Sequence, residues 1–91
     1  MSLHITPKDL EVVRLVAANG SLTSTAKQMH VSQPAISQRL ATLQDRLGTD
    51  LFQRRDGRMQ ATPAAERLAE AAVAVERLMT QAMEDVNELL G

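Results

Sequence analysis

From Pro63 to Leu90 the chain runs without a glycine or a second proline, and apolar residues return along it at Leu68, Ala72, Val75, Met79, Ala82, Val86 and Leu89. Their spacings alternate between four and three residues, the sustained heptad seam that lets one helix pair with another. Thr62-Pro63 supplies a capping hydroxyl followed by a proline suited to the first helical turn. A helix over this segment is about 42 Å long at about 1.5 Å per residue. The residues that remain form too small a body to cover it. The exposed seam therefore predicts a homodimer joined through this helix.

The 91 residues fit one small domain carrying an attached helix, with expected boundaries at 1–61 and 62–91. A body of this size is marginal alone, which again favours association. There is no cysteine, so disulfides and thiolate metal sites are excluded. No apolar run approaches membrane-spanning length and the N-terminus lacks a signal-peptide pattern, so a cytoplasmic, soluble protein is expected.

A formal net charge of −1 argues on its face against a nucleic-acid partner. Its distribution argues the other way. Residues 1–61 carry eight Lys/Arg against five Asp/Glu, whereas residues 62–91 carry two Arg against six Asp/Glu. A basic body is joined to an acidic helix, and local charge sets the field near a surface.

Within the body, Thr6-Pro7-Lys8-Asp9 opens a first helix as cap, first-turn proline and acid three residues past the cap. Leu10, Val13, Val16 and Ala17 give it an apolar face, and Asn19-Gly20 ends it. Ser21 caps a short second helix with Leu22, Ala26 and Met29 turned inward. His30-Val31 forms a turn, and Ser32 caps a third helix whose stripe is Ile36, Leu40, Leu43 and Leu47, with Gly48 as its stop. Val31 and Ile36 are placed for a hydrophobic staple. Leu51 to Ala61 reads as a short hairpin turning at Asp56-Gly57, with Arg54, Arg55 and Arg58 at its tip.

The predicted fold is thus mainly α: a winged helix-turn-helix of three helices and a hairpin wing, followed by a long dimerisation helix. In that plan the helix at 32–47 enters the major groove of double-stranded DNA, with its N-terminal residues at base edges. Gln33, Ser37 and Gln38 are candidate base readers, Gln being matched to adenine. Pro34 offers an apolar surface to a thymine methyl. Ser32 lies where the helix's positive end can meet phosphate. Arg54, Arg55 and Arg58 are candidate phosphate or minor-groove contacts. A dimer of such modules predicts an imperfect inverted repeat with half-sites about one helical turn (~34 Å) apart.

The stretch Gly20-Ser21-Leu22-Thr23, Ala26, then Val31-Ser32-Gln33-Pro34-Ala35-Ile36-Ser37 resembles the signature of the LysR-type transcriptional regulators. Leu43, Leu47-Gly48, Leu51-Phe52-Gln53-Arg54, Arg58 and Thr62-Pro63-Ala64 continue the likeness in register over roughly residues 7–90. The resemblance implies a DNA-binding domain with a linker helix that pairs antiparallel with its mate. It also implies groove contacts at Gln33, Pro34 and Ser37, and family positions near phosphate or the wing at Ser32 and Arg54; Ser21 and Thr23, within the matching stretch, are further DNA-contact candidates. The chain departs from the pattern at Gln38, often basic in the family, at Gln44, commonly acidic, at Val13, often aromatic, and at Ala65, usually glycine. Members usually continue into a larger effector domain, so this chain reads as an engineered fragment whose small-molecule sensing lies in an absent C-terminal part.

Other readings have less support. No phosphate-binding glycine loop, nucleophile elbow or paired carboxylates points to an enzyme. His4 and His30 lack ligand-spaced partners, so neither a metal nor a cofactor is expected. Arg39 and Arg46 have Asp45 and Asp50 nearby in sequence, and surface ion pairs are their plain assignment. A protein-interaction module remains a second class, since winged helices also bind proteins, and a molybdate-sensing regulator with a similar N-terminal domain is a third. The arginine-bearing hairpin beside an uncharged helix face favours DNA.

Overall fold

The computed structural model describes residues 5–91; His4, weighed above as a metal ligand, lies outside them. The described chain runs α1 (Pro7–Asn19), α2 (Leu22–Met29), α3 (Gln33–Leu47), β1 (Phe52–Arg55), β2 (Arg58–Ala61) and α4 (Pro63–Leu90).

Each helix begins where a hydroxyl caps it. Thr6 accepts from the Asp9 N–H while the Asp9 carboxylate accepts from the Thr6 N–H, a reciprocal capping box. Ser21, Ser32 and Thr62 cap α2, α3 and α4 by accepting from the N–H groups of Ser24, Ala35 and Ala65. The first three helices each stop on a left-handed residue. Gly20 and Gly48 close α1 and α3, and His30 takes φ 58° to close α2. The Val31 N–H bonds to Ala26 O at 3.0 Å and the His30 N–H to Lys27 O at 3.3 Å. That pair of bonds is a Schellman closure.

The core gathers Val12, Val13, Val16, Ala26, Ile36, Leu40, Leu43, Leu51, Phe52 and Ala65. Helix α1 lies at its centre, touching α2 and α3 on one side and α4 on the other. Three sequence expectations change here. Val12 is buried where Leu10 is only half-buried, because α1 is covered from two sides and its apolar arc is wider than one stripe. Leu47 ends its stripe 41% exposed, as α3 runs past the edge of the body. Val31 stays 40% exposed, its position fixed by the α2 closure, so no buried staple forms with Ile36.

The hairpin pairs Phe52 with Ala61, Gln53 with Gln60, Arg54 with Met59 and Arg55 with Arg58. Only Asp56 (φ 49°) and Gly57 (φ 75°) lie between the strands. Positive φ at both central residues is the tight turn that matches strand twist. Arg55 and Arg58 end and begin the strands on either side of this turn, at the tip, and Arg54 lies one position back in β1.

Helix α4 changes from covered to exposed along its length. Ala65 and Ala72 are buried and Leu68 and Val75 half-buried, so the start of the seam packs on this chain's own body. Arg14 and Glu76 add an ion pair of 3.7 Å between α1 and α4. Beyond that point Met79, Met83, Val86 and Leu89 stand exposed.

Candidate nucleic-acid interface

Helices α2 and α3 with the His30-Val31 turn form the helix-turn-helix. Asn19, read from sequence only as a helix stop, holds its near end. The Asn19 side-chain amide donates to Thr25 Oγ1 at 3.2 Å and to Gln28 Oε1 at 3.1 Å, while its Oδ1 accepts from the Ser21 N–H at 2.8 Å. Thr25 is fully buried, so this network fixes α2 against the end of α1.

The first turns of α3 project from that frame. Ser32, Pro34, Ser37 and Gln38 are exposed and Gln33 is half-buried, leaving an uncharged polar and apolar face. Thr23 on α2 is exposed and Ser21 half-buried. The hydroxyl oxygens of Ser21 and Ser32 accept the capping bonds at 3.0 and 3.2 Å. Each O–H stays available as a donor, because a hydroxyl both donates and accepts. Helix ends with free N–H groups carry partial positive charge suited to phosphate.

The hairpin stands against this frame through two bonds to the C-terminal end of α1. The Met59 N–H donates to Gly20 O at 2.9 Å, and Arg58 Nη2 donates to Asn19 O at 3.0 Å. Arg58, next to the Asp56-Gly57 turn, thus anchors the turn end of the wing with one of its five donors. Strand alternation puts Arg54 on the face of Phe52 and Met59, and Arg55 on the face of Gln53 and Arg58. Among the described residues the ion pairs are Arg14–Glu76, Arg39–Asp9 and Arg67–Glu70, so Asp56 neutralises none of the wing arginines.

Two polar anchors behind α3 left no periodic signal in the sequence. Gln44 Oε1 accepts from the N–H groups of Leu51 and Phe52 at 2.8 and 3.3 Å, tying α3 to β1. Arg39 pairs with Asp9, thirty positions away, at 2.8 Å, in place of the neighbouring Asp45 or Asp50. Burial alone would raise the Asp9 carboxyl pKa. The Thr6 N–H, the Arg39 hydrogen bond, the Thr6 hydroxyl and the Arg39 charge outweigh it and hold the carboxyl below its ordinary value. Among the described residues no three His, Cys, Asp or Glu side chains gather to hold a metal ion, and no helix is long and apolar enough to cross a membrane.

A helix-turn-helix with an arginine-bearing hairpin beside it, extended by one long helix, defines a winged helix-turn-helix module. Residues 7–66 match the model of the bacterial regulatory helix-turn-helix proteins of the LysR family. The chain belongs to that family. It is 34% identical over 82 residues, 90% of its own length and 25% of the other's, to the HTH-type transcriptional regulator CbbR of Xanthobacter flavus. Its fold is similar to that in a crystal structure of a CbnR DNA-binding domain–DNA complex, with a TM-score of 0.81 and 25% identity over 96% of this chain and all of that one. Full-length LysG of Corynebacterium glutamicum is similar at TM-score 0.87 and 26% identity, over 96% of this chain and 30% of that one. The chain spans about a quarter of the length of the curated relatives it matches.

Proposed function

We propose that this chain is the sequence-specific DNA-binding module of a LysR-type transcriptional regulator, working in the bacterial cytoplasm as a homodimer. The observation that carries the reading is the uncharged, exposed N-terminal face of α3 together with the exposed Arg54 and Arg55 of the wing, both on the basic half of the chain. Residues 32–47 enter the major groove, where Gln33, Pro34, Ser37 and Gln38 meet base edges. Ser21, Thr23 and Ser32 approach phosphates, and Arg54 and Arg55 reach along the wing to the backbone or the adjacent minor groove. Arg58 contributes charge there while its anchor to Asn19 sets the wing's position. The family is one of transcriptional regulators, and the role assigned here is binding rather than catalysis.

Residues 1–61 form the reading head and residues 62–91 the dimerisation helix, whose first turns complete the head's core. The exposed stretch of α4 from Met79 through Ala82, Val86 and Leu89 meets the same stretch of a second copy. A groove between α1 and α4, lined by Leu10, Arg14, Val75, Glu76, Met79 and Met83, continues that apolar surface. Six acids along α4 keep the paired rod off the duplex by like-charge repulsion.

Selection of bound sites from a random duplex pool tests the whole reading. The expected product is an imperfect inverted repeat with half-sites about 34 Å apart. Failure to enrich any sequence, with no duplex retained at low ionic strength, overturns it.

A further inference from the structure

A cleft separates the first turn of α1 from the flank of α3, lined by Thr6, Asp9, Gln38, Arg39, Thr42 and Arg46. Asp9 sits at its floor with its side chain 7% exposed, while the Arg39 side chain is 40% exposed. Both carboxylate oxygens are engaged. Oδ2 accepts from the Thr6 N–H at 2.9 Å and Oδ1 from Arg39 Nη1 at 2.8 Å. A carboxylate this far from water requires a cation and hydrogen bonds, so the contact commits Arg39 to α1.

That commitment matters because of where Arg39 lies. It follows Gln38 directly, on the turn of α3 that also carries Ser37, at the edge of the surface proposed to enter the groove. A free guanidinium at that edge is drawn to the phosphates flanking the groove, whatever the sequence between them. A phosphate grip of this kind strengthens binding to every duplex and adds nothing to base readout.

We propose that Asp9 is a positioning residue for DNA recognition: by clasping Arg39 it withholds that cation from the duplex and limits the sequence-independent grip of α3. The proposal rests on the DNA-binding reading above. Discrimination is thereby left to the uncharged side chains of Gln33, Ser37 and Gln38. Arg46, in the same cleft two turns further along α3, has no such tether to α1 among the described residues.

The test is the salt dependence of binding to a random-sequence duplex and to a selected site, for the wild type, Asp9→Asn, Arg39→Gln and the double variant. Asparagine keeps an oxygen for the Thr6 N–H, and a thermal melt of each variant verifies its fold. Each phosphate contact contributes about 0.9 to the slope of log affinity against log salt. Asp9→Asn is expected to steepen that slope by about one such increment and to tighten random-duplex binding several-fold at low salt. Arg39→Gln alone is expected to leave the slope unchanged, and the double variant to return to it. The proposal is overturned by a flatter slope in Arg39→Gln, which places Arg39 on phosphate already. It is equally overturned by an unchanged slope in folded Asp9→Asn, or by a double variant that stays steep, which assigns the effect to the Asp9 charge alone. A wild type that ignores all duplexes at low salt removes the DNA-binding reading together with this one, an outcome distinct from the other three.

Discussion

Gln44 Oε1 receives the backbone N–H groups of both Leu51 and Phe52, so one side-chain carbonyl joins α3 to the first strand of the hairpin. Leu51 and Phe52 are buried and Gln44 is half-buried, so losing this acceptor leaves two backbone donors in a poorly solvated place. Gln44→Leu is expected to cost about 1–3 kcal/mol, the penalty for stranding a buried donor. Gln44→Glu, which keeps the acceptor and adds charge, should retain wild-type stability or exceed it. Urea unfolding followed by far-ultraviolet circular dichroism measures both; equal losses for the two variants refute the acceptor role.

Gly20 holds φ 68°, and a Cβ there would come within 2.6 Å of Arg58 Nη2. Gly20→Ala therefore combines left-handed strain with displacement of the guanidinium from Asn19 O. A loss of more than about 1 kcal/mol is expected. Arg58→Ala removes the same anchor without backbone strain, so it should destabilise less while loosening the hairpin. Amide exchange at Met59, whose N–H bonds to Gly20 O, should speed up in both variants.

Acid should weaken the fold partly through Asp9. Its carboxyl is held below the ordinary value of 3.8 in the folded chain, so the unfolded chain binds that proton more readily. The stabilisation is complete above the unfolded value and disappears as pH falls through the folded one. Urea midpoints measured downward from about pH 5 should show a fall in the wild type that is shallower in Asp9→Asn. Parallel acid profiles for the two proteins contradict the assignment.

Met79→Glu and Val86→Glu each place a charge in the exposed part of the α4 seam. Both are expected to shift the chain toward monomer in sedimentation equilibrium while leaving the body's helical signal intact. Persistence of a full dimer in the double variant moves the interface elsewhere.

Readout and grip should separate in binding measurements. Arg54→Ala is expected to weaken binding to selected and random duplexes alike and to flatten the salt slope by about 0.9. Ser37→Ala is expected to alter base preference at one position with the slope unchanged. Equal losses on both duplex types for both variants contradict this division.

Much of the architecture was legible because it is written locally. Each helix start is a hydroxyl followed by a helical period, and the hairpin turn is the Asp56-Gly57 dipeptide. The exposed face at Ser32, Pro34, Ser37 and Gln38 follows from the stripe Ile36, Leu40 and Leu43 on the other side of α3. Contacts between distant side chains carry no such period. Asp9 with Arg39, Gln44 with Leu51 and Phe52, and Arg58 with Asn19 depend on how separate elements meet. For the same reason the sequence alone pairs Arg39 with its acidic neighbours and offers Leu10, not Val12, to the core. The first seam positions show the converse: Leu68 and Ala72 keep the period yet are covered within this chain.

Because α4 is one unbroken rod, seated in the head at Ala65 and bare from Met79 onward, head and seam move together. In the antiparallel pairing that the family resemblance implies, sliding one copy past its mate by a single heptad keeps the apolar pattern matched yet shifts the two heads by about 10 Å, or about three base-pair steps. The side chains that choose among such alignments therefore act as a ruler, converting a register between helices into the number of bases separating the half-sites.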